Sequence, residues 1–296
     1  MMALNLFQLF RGEWLKIAGN RWVVIFLIWI FPAAMLLVGV AAILFALLTE
    51  DFREAQRLTG VAPWNESLLS TWDIVNNQIG RWVILAFTAN IFAGEYTHGT
   101  WKNLIIHRRR VTLIINKFVT LAVFVTAAFV AVSIINGIAS GILASILDID
   151  YGLSNAGAVM GEFIKDYLLQ MFITLTGTFI VASFAALAAM ITRNVLASVI
   201  VGVIINMVET VGVVFFFGLV DWLLKINLFE LYRYLPTYSL ENINSWIGFS
   251  RGLDTSFAGQ EYIAPSLEMS LLVVVLWAFG LVALTAYLFQ RQDISS

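Results

Sequence analysis

The sequence contains no cysteine, and only 12% of its 296 residues are charged. The first absence excludes disulfides, thiolate metal sites, thiol nucleophiles and S-acylation together. The second excludes a soluble enzyme, because ordinary soluble domains carry about 25% charged residues. Neither H-E-x-x-H nor any clustered metal-ligand spacing appears, and no lysine follows a glycine, so there is no G-x-x-x-x-G-K-[ST] phosphate loop. A formal net charge of -2 gives no reason to expect a nucleic-acid partner. What the chain has instead is apolar surface: 60% of residues are hydrophobic and the mean hydropathy is +0.89. Apolar stretches near 20 residues recur along it, long enough to cross about 30 Å of hydrocarbon as helix. The expected fold class is an all-α membrane protein.

Six spans are expected, over about 22–48, 71–94, 118–147, 167–192, 195–220 and 266–290. Before them, residues 1–21 place Leu4, Phe7, Phe10, Trp14 and Ile17 at helical spacing, with Arg11, Glu13 and Lys16 elsewhere. That pattern predicts an N-terminal amphipathic helix in the membrane interface. The segment is too amphipathic, and the following apolar run too long, for a cleaved signal peptide. With the N-terminus in the cytosol, ten basic residues fall inside against three acidic ones. Seven basic and fifteen acidic residues then fall outside, and Glu209 lies within the fifth span. The positive-inside rule therefore predicts cytosolic N- and C-termini. The segment 221–265 is expected to form short outer helices between spans five and six, because Trp222, Leu223, Ile226, Leu228, Phe229, Leu231 and Tyr232 are too apolar for plain coil.

The cytosolic loop 95–117 is the most informative stretch. With the preceding glycine it reads GEYTHGTWKNLIIHRRRVTLIINK and holds five of the ten inner basic residues. Trp101, Leu104, Ile105 and Ile106 form an apolar group among the charges, which suits a short helix pressed on a membrane surface or a protein partner. Gly94 and Gly99 allow a sharp turn out of the second span. A basic anchor at Arg108, Arg109 and Arg110, holding the third span against anionic headgroups, is the alternative reading.

Gly94, Glu95, Tyr96, Gly99 and Thr100, followed by Arg110 and by Lys117 at the head of the third span, resemble the family of ABC transporter permeases of the type 2, exporter-like class. The order of parts along the chain and the stretch YRYLPTYSLENI, 232–243, are similar to that family as well. One departure is that members often carry a proline before the basic residue of the loop, where Arg108 and Arg109 stand here. The resemblance implies a transport subunit that is no enzyme itself. Two copies of a separate ABC ATPase would bind ATP and Mg, and a second permease chain, identical or a paralogue, would complete the path in the inner (plasma) membrane. It also implies that Glu95, Tyr96, Gly99, Thr100, Trp101, Lys102, Leu104, Arg110 and Lys117 couple this chain to that ATPase. Permeases of this kind handle peptides, antibiotics, lipids or polysaccharides.

Three further features carry candidate chemistry. Glu209, with Asn206 one turn before it and Thr210 beside it, is an ionisable residue within a span and so a functional candidate. A proton-linked secondary transporter using Glu209 is the alternative function, and a structural hydrogen bond the alternative role. Asn136 gives the third span a polar stripe with Ser133 and Ser140, beside the small residues Gly137 and Gly141, a pattern that favours close helix packing. Asp73, Asn76, Asn77 and Arg81 are spaced to share one helical face at the outer end of span two. Pro32 is expected to kink the first span. Gly248, Phe249, Ser250, Arg251 and Gly252 match G-x-S-x-G, but a nucleophile elbow needs a preceding strand and a histidine, and His98 and His107 fall on the opposite side of the membrane. A non-transporting scaffold subunit is the third functional class left open.

Overall fold

The computed structural model describes residues 2–102, 104, 109–257 and 260–292, with side chains described from residue 7 onward except at 257, 260 and 261. The expectations placed on Leu4, Ile105, Ile106, His107 and Arg108 therefore lie outside what is described. Among the described residues, five helical stretches are long and apolar enough to cross a membrane: Ile30–Leu48, Arg110–Leu147, Leu153–Thr192, Val195–Leu224 and Leu267–Arg291. An all-α membrane protein follows, with one addition the sequence did not suggest: a short antiparallel hairpin of β1 (Thr255–Phe257) and β2 (Gln260–Tyr262).

The chain opens with helix α1 (Met2–Gly19), then α2 (Arg21–Leu27) and α3 (Ile30–Leu48). The break between α2 and α3 falls just after Ile28, four residues before Pro32. A proline ring collides with the carbonyl four residues upstream and donates no hydrogen bond to it, so the interruption lies where Pro32 forces it. Short helices α4 (Glu50–Thr59) and α5 (Trp64–Leu69) and a 3-10 turn, Ser70–Val75, lead into α6 (Gln78–Thr97). Then come α7 (Arg110–Leu147), α8 (Ala156–Thr192) and α9 (Val195–Met207). A π turn, Val208–Gly212, joins α9 to α10 (Val213–Leu224), and a 3-10 turn, Phe229–Tyr234, precedes α11 (Pro236–Phe249). Helix α12 (Leu267–Arg291) follows the hairpin, its N-terminus capped by Ser266, whose hydroxyl oxygen accepts from Met269 N.

The expected single face of Asp73, Asn76, Asn77 and Arg81 does not form. Asp73 lies in the 3-10 turn, Asn76 and Asn77 precede α6, and only Arg81 is within that helix. Asn77 Oδ1 accepts from Gly80 N at 2.8 Å and so caps α6. Gly80 allows this entry: a Cβ there would sit 2.3 Å from the carbonyl oxygen of Ile74. Helices α7 and α8 both start earlier than their apolar stretches, at Arg110 and Ala156, because charged residues beyond the apolar core are still good helix formers.

The chain divides into two compact units. One gathers residues 1–10, 84–119 and 176–296. Its core sets Leu85, Phe87, Ala89 and Phe92 of α6 with Ile114 and Phe118 of α7 and the alanine-rich face Ala182, Ala185, Ala186 and Ala189 of α8. Gly202 of α9 closes on this face, where a Cβ would lie 3.0 Å from Leu85 Cδ2. Small residues let helix backbones approach where lipid supplies no hydrophobic drive.

The other unit gathers residues 11–83 and 120–175. Trp72, fully buried, packs its ring 6.0 Å from that of Phe129 and edge-on to Tyr167 at 5.6 Å. Phe31 meets Phe129 at 5.0 Å, and Trp14 of α1 stacks on Phe124 of α7 at 4.2 Å. A Cβ at Gly39 of α3 would come within 2.7 Å of Ala139 Cβ on α7.

Candidate functional site

The loop after α6 is built on a buried ion pair. Lys117, about two turns into α7, places Nζ 2.6 Å from Glu95 Oε1, and both residues are 1% exposed. Lys117 Nζ also donates to the carbonyl of Ile91 at 3.1 Å and stands 5.2 Å from the Trp101 ring centroid and 5.8 Å from that of Phe92. The second carboxylate oxygen of Glu95 accepts from the Thr100 hydroxyl, and Thr100 N donates to the Glu95 carbonyl at 3.0 Å. Glu95 and Thr100 thus close a turn, and Gly99 within it sits at φ +63, a left-handed conformation that costs a side-chain-bearing residue about 1–2 kcal/mol. A buried pair of this kind survives because its charges are matched and further hydrogen-bonded.

The rest of the loop is held by the end of α12. Tyr96 donates its hydroxyl to Gln292 Oε1 at 2.5 Å, and Gln292 Nε2 donates to the Met190 carbonyl at 2.9 Å. Trp101, 1% exposed, sets its ring 4.4 Å from that of Phe289. Arg110 Nη1 donates to the carbonyls of Phe289, Gln290 and Gln292 at 3.1, 3.0 and 2.6 Å. Arg193 carries its guanidinium 5.9 Å from the Tyr96 ring centroid. Its own φ of +52 makes the reversal between α8 and α9, which Asn194 caps by accepting from Ala197 N.

Glu95, Tyr96, Thr100, Trp101, Arg110 and Lys117 are therefore brought together into one network, with Gly99 supplying its turn. Lys102 is exposed and Leu104 partly so. Sequence reasoning missed Phe289, Gln292, Met190 and Arg193. They lie 80 to 196 residues from Tyr96, Trp101 and Arg110, and no local spacing marks them.

Glu209 lies in the π turn that interrupts the fifth apolar stretch. Its Oε1 accepts from Thr237 N at 3.0 Å and its Oε2 from the Thr237 hydroxyl at 2.6 Å. Thr237 is the second residue of α11, and Pro236 before it has no N–H to donate. The carboxylate thus caps the N-terminus of α11 from another helix, where backbone N–H groups and the helix dipole favour an anion. Asn206 is fully buried one turn earlier, and its carbonyl accepts from the Thr210 hydroxyl at 2.9 Å. Within α11, Tyr238 donates to the Leu253 carbonyl at 2.8 Å. Burial, with Asp254 adding to it, holds that phenol above the ordinary tyrosine range.

Asn136 has a different partner from the one a small-residue stripe suggests. Its Nδ2 donates to the Ser67 carbonyl at 2.7 Å, and Ser133 Oγ donates to the Leu68 carbonyl at 2.7 Å. Both acceptors belong to the short helix α5, and a Cβ at Gly137 would stand 2.9 Å from Leu68 Cδ2. The stripe packs closely on the short helix α5. The G-x-S-x-G match is preceded by helix α11, not a strand, and Ser250 ends that helix at φ +53. A nucleophile elbow is absent there.

Comparison with curated proteins gives no match. The family profile described as ABC-2 family transporter protein matches residues 9–212, which takes in the loop, the Glu95–Lys117 pair and Glu209. With that profile covering well over half of the sequence, the chain belongs to the ABC-2 transporter family, a membrane transport component associated with an ABC ATPase.

Proposed function

We propose that this chain is the permease subunit of an ATP-driven ABC exporter, coupled through the 95–117 loop to a separate ATPase subunit. Six crossings are assigned, with α6 as the second: its 20 residues rise about 30 Å at 1.5 Å each, enough to span. Both termini lie in the cytosol of a cell whose inner (plasma) membrane holds the protein. Two ATPase copies bind ATP and Mg, and a second permease chain completes the path.

The observation that carries this reading is the Glu95–Lys117 pair. It ties the last turn of α6 to the first turns of α7, so a push on the loop between them moves two helices together. Lys102 is exposed and Leu104 partly so on the chain between those anchors, where a partner would meet the loop. The cap that Glu209 places on α11 supports a structural role for that carboxylate over proton transfer.

Purification in mild detergent, with mass spectrometry of every co-purifying chain and an assay of vanadate-sensitive ATP hydrolysis, tests the proposal. An ATPase with a phosphate-loop motif is expected in equal amount. Recovery of this chain alone, with no hydrolysis, would overturn the reading.

A further inference from the structure

We propose that Arg110 is a positioning residue that makes the last helix, α12, move with the cytosolic loop, so that α12 carries the loop's displacement to the outer helix α11. The inference rests on the loop being the ATPase contact.

A helix leaves its last four carbonyls without intrahelical partners. Arg110 supplies donors to three acceptors at the end of α12, the carbonyls of Phe289, Gln290 and Gln292. One guanidinium nitrogen carries two N–H groups, so these three bonds are shared among them, and the cation also meets the negative end of the helix dipole. Two contacts from the other flank of the loop hold the same turn: Trp101 on Phe289, and Tyr96 on Gln292. Gln292 extends the grip to the end of α8 through the Met190 carbonyl. Both flanks of the loop therefore hold the last turn of α12, the Arg110 flank through backbone carbonyls and the other flank through the side chains of Gln292 and Phe289.

The far end of α12 is joined as firmly to α11. Asn242 Nδ2 donates to Ser270 Oγ at 2.8 Å and to the Pro265 carbonyl at 3.0 Å, with Asn242 and Ser270 both fully buried. Trp246 Nε1 donates to the Pro265 carbonyl at 3.2 Å, and nearer the middle of α12 Trp277 Nε1 donates at 2.9 Å to the carbonyl of Tyr234, in the 3-10 turn before α11. Glu209 caps α11 in turn. The 25-residue helix α12 is thus a rod with a polar clamp at each end. Contiguity alone does not establish coupling, so the test must show that motion follows the clamp.

The absence of native cysteine lets spin labels be placed cleanly. Arg109, Gln290 and Leu58 are exposed, and cysteines there, in pairs, report three distances by electron–electron resonance. The permease–ATPase complex, in liposomes of phosphatidylethanolamine and phosphatidylglycerol, is compared without nucleotide and with ADP–vanadate trapped. The expected result is that the Leu58-to-Arg109 and Leu58-to-Gln290 distances shift by the same amount while Arg109-to-Gln290 stays fixed. Arg110→Gln should keep the first shift and lose most of the second, and Arg110→Lys should restore part of it. A Gln290 label that stays still while Arg109 moves, a changing Arg109-to-Gln290 distance, or no shift at all overturns the inference. If no ATPase co-purifies, the proposed function fails separately. The clamp is then read on the chain alone, where Arg110→Gln should broaden the Arg109-to-Gln290 distribution and an unchanged distribution counts against it.

Discussion

Glu95 and Lys117 meet 2.6 Å apart with almost no exposure, 22 residues from each other in sequence and on opposite sides of the loop. Removing one partner leaves the other charge buried and uncompensated. Glu95→Ala alone should therefore cost about 3–5 kcal/mol of stability, and Lys117→Met alone a similar amount. The double variant Glu95→Leu with Lys117→Met should recover much of that loss in thermal unfolding in detergent. A double variant as unstable as the two single losses added would show that the pair is not the unit.

Charge at Lys102 and helicity at Leu104 test the docking of the loop. Lys102→Glu should leave the purified chain close to its former stability while lowering ATPase co-purification or the ATPase rate of the complex, whereas Leu104→Pro, which also removes the Leu104 N bond to the Thr100 carbonyl at 3.2 Å, should lower stability and coupling together. The Lys102 side chain lies at the loop surface, so for that variant stability and coupling should separate. Unchanged recovery and unchanged rate would remove both residues from the partner contact.

At Glu209 the expected loss is that of a helix cap. Glu209→Ala should destabilise by about 0.5–2 kcal/mol, read as faster amide hydrogen exchange over the first turn of α11. Glu209→Gln keeps an acceptor for Thr237 N and should be milder, with no change in the pH profile of the ATPase-coupled complex. A pH profile that shifts in Glu209→Gln would restore the proton-linked reading.

Gly80→Ala should be poorly tolerated. The new methyl would fall 2.3 Å from the Ile74 carbonyl oxygen and 2.8 Å from Val75 Cα, both backbone atoms that no rotamer change can move. Overpacking of this sort costs about 1–3 kcal/mol. Thermal unfolding of the variant in detergent measures it, and a neutral result would place the 3-10 turn differently.

Ser133→Ala with Asn136→Ala removes two donors that hold α5 to α7. The outer segment 49–70 should become more sensitive to added protease, while the ATPase co-purifies as before. Equal cleavage in the two proteins would mean that Trp64 and its neighbours hold α5 without those bonds.

Much of this architecture was legible in local composition. Apolar stretches at 22–48, 118–147 and 266–290, which overlap the helices Ile30–Leu48, Arg110–Leu147 and Leu267–Arg291, could be read directly, because the demand for satisfied backbone groups in lipid acts on every window of about 20 residues. The break upstream of Pro32 was legible for the same reason: its cause lies four residues away. The stretch before α6 was misread, because its helical spacing competed with a cap at Asn77 and a close approach at Gly80 that composition does not display.

The sequence by itself determined the class of the protein and where its long apolar helices run, since both depend on short-range composition against a fixed slab of hydrocarbon. Only the tertiary structure decided that Glu209 caps a helix starting 27 residues later, that Asn136 holds an outer helix, and that Arg110 closes the end of a helix about 180 residues away. Those partners are chosen by which helix ends and faces packing brings within hydrogen-bond reach. A buried donor or acceptor requires a partner, but nothing in its neighbours along the chain says which one.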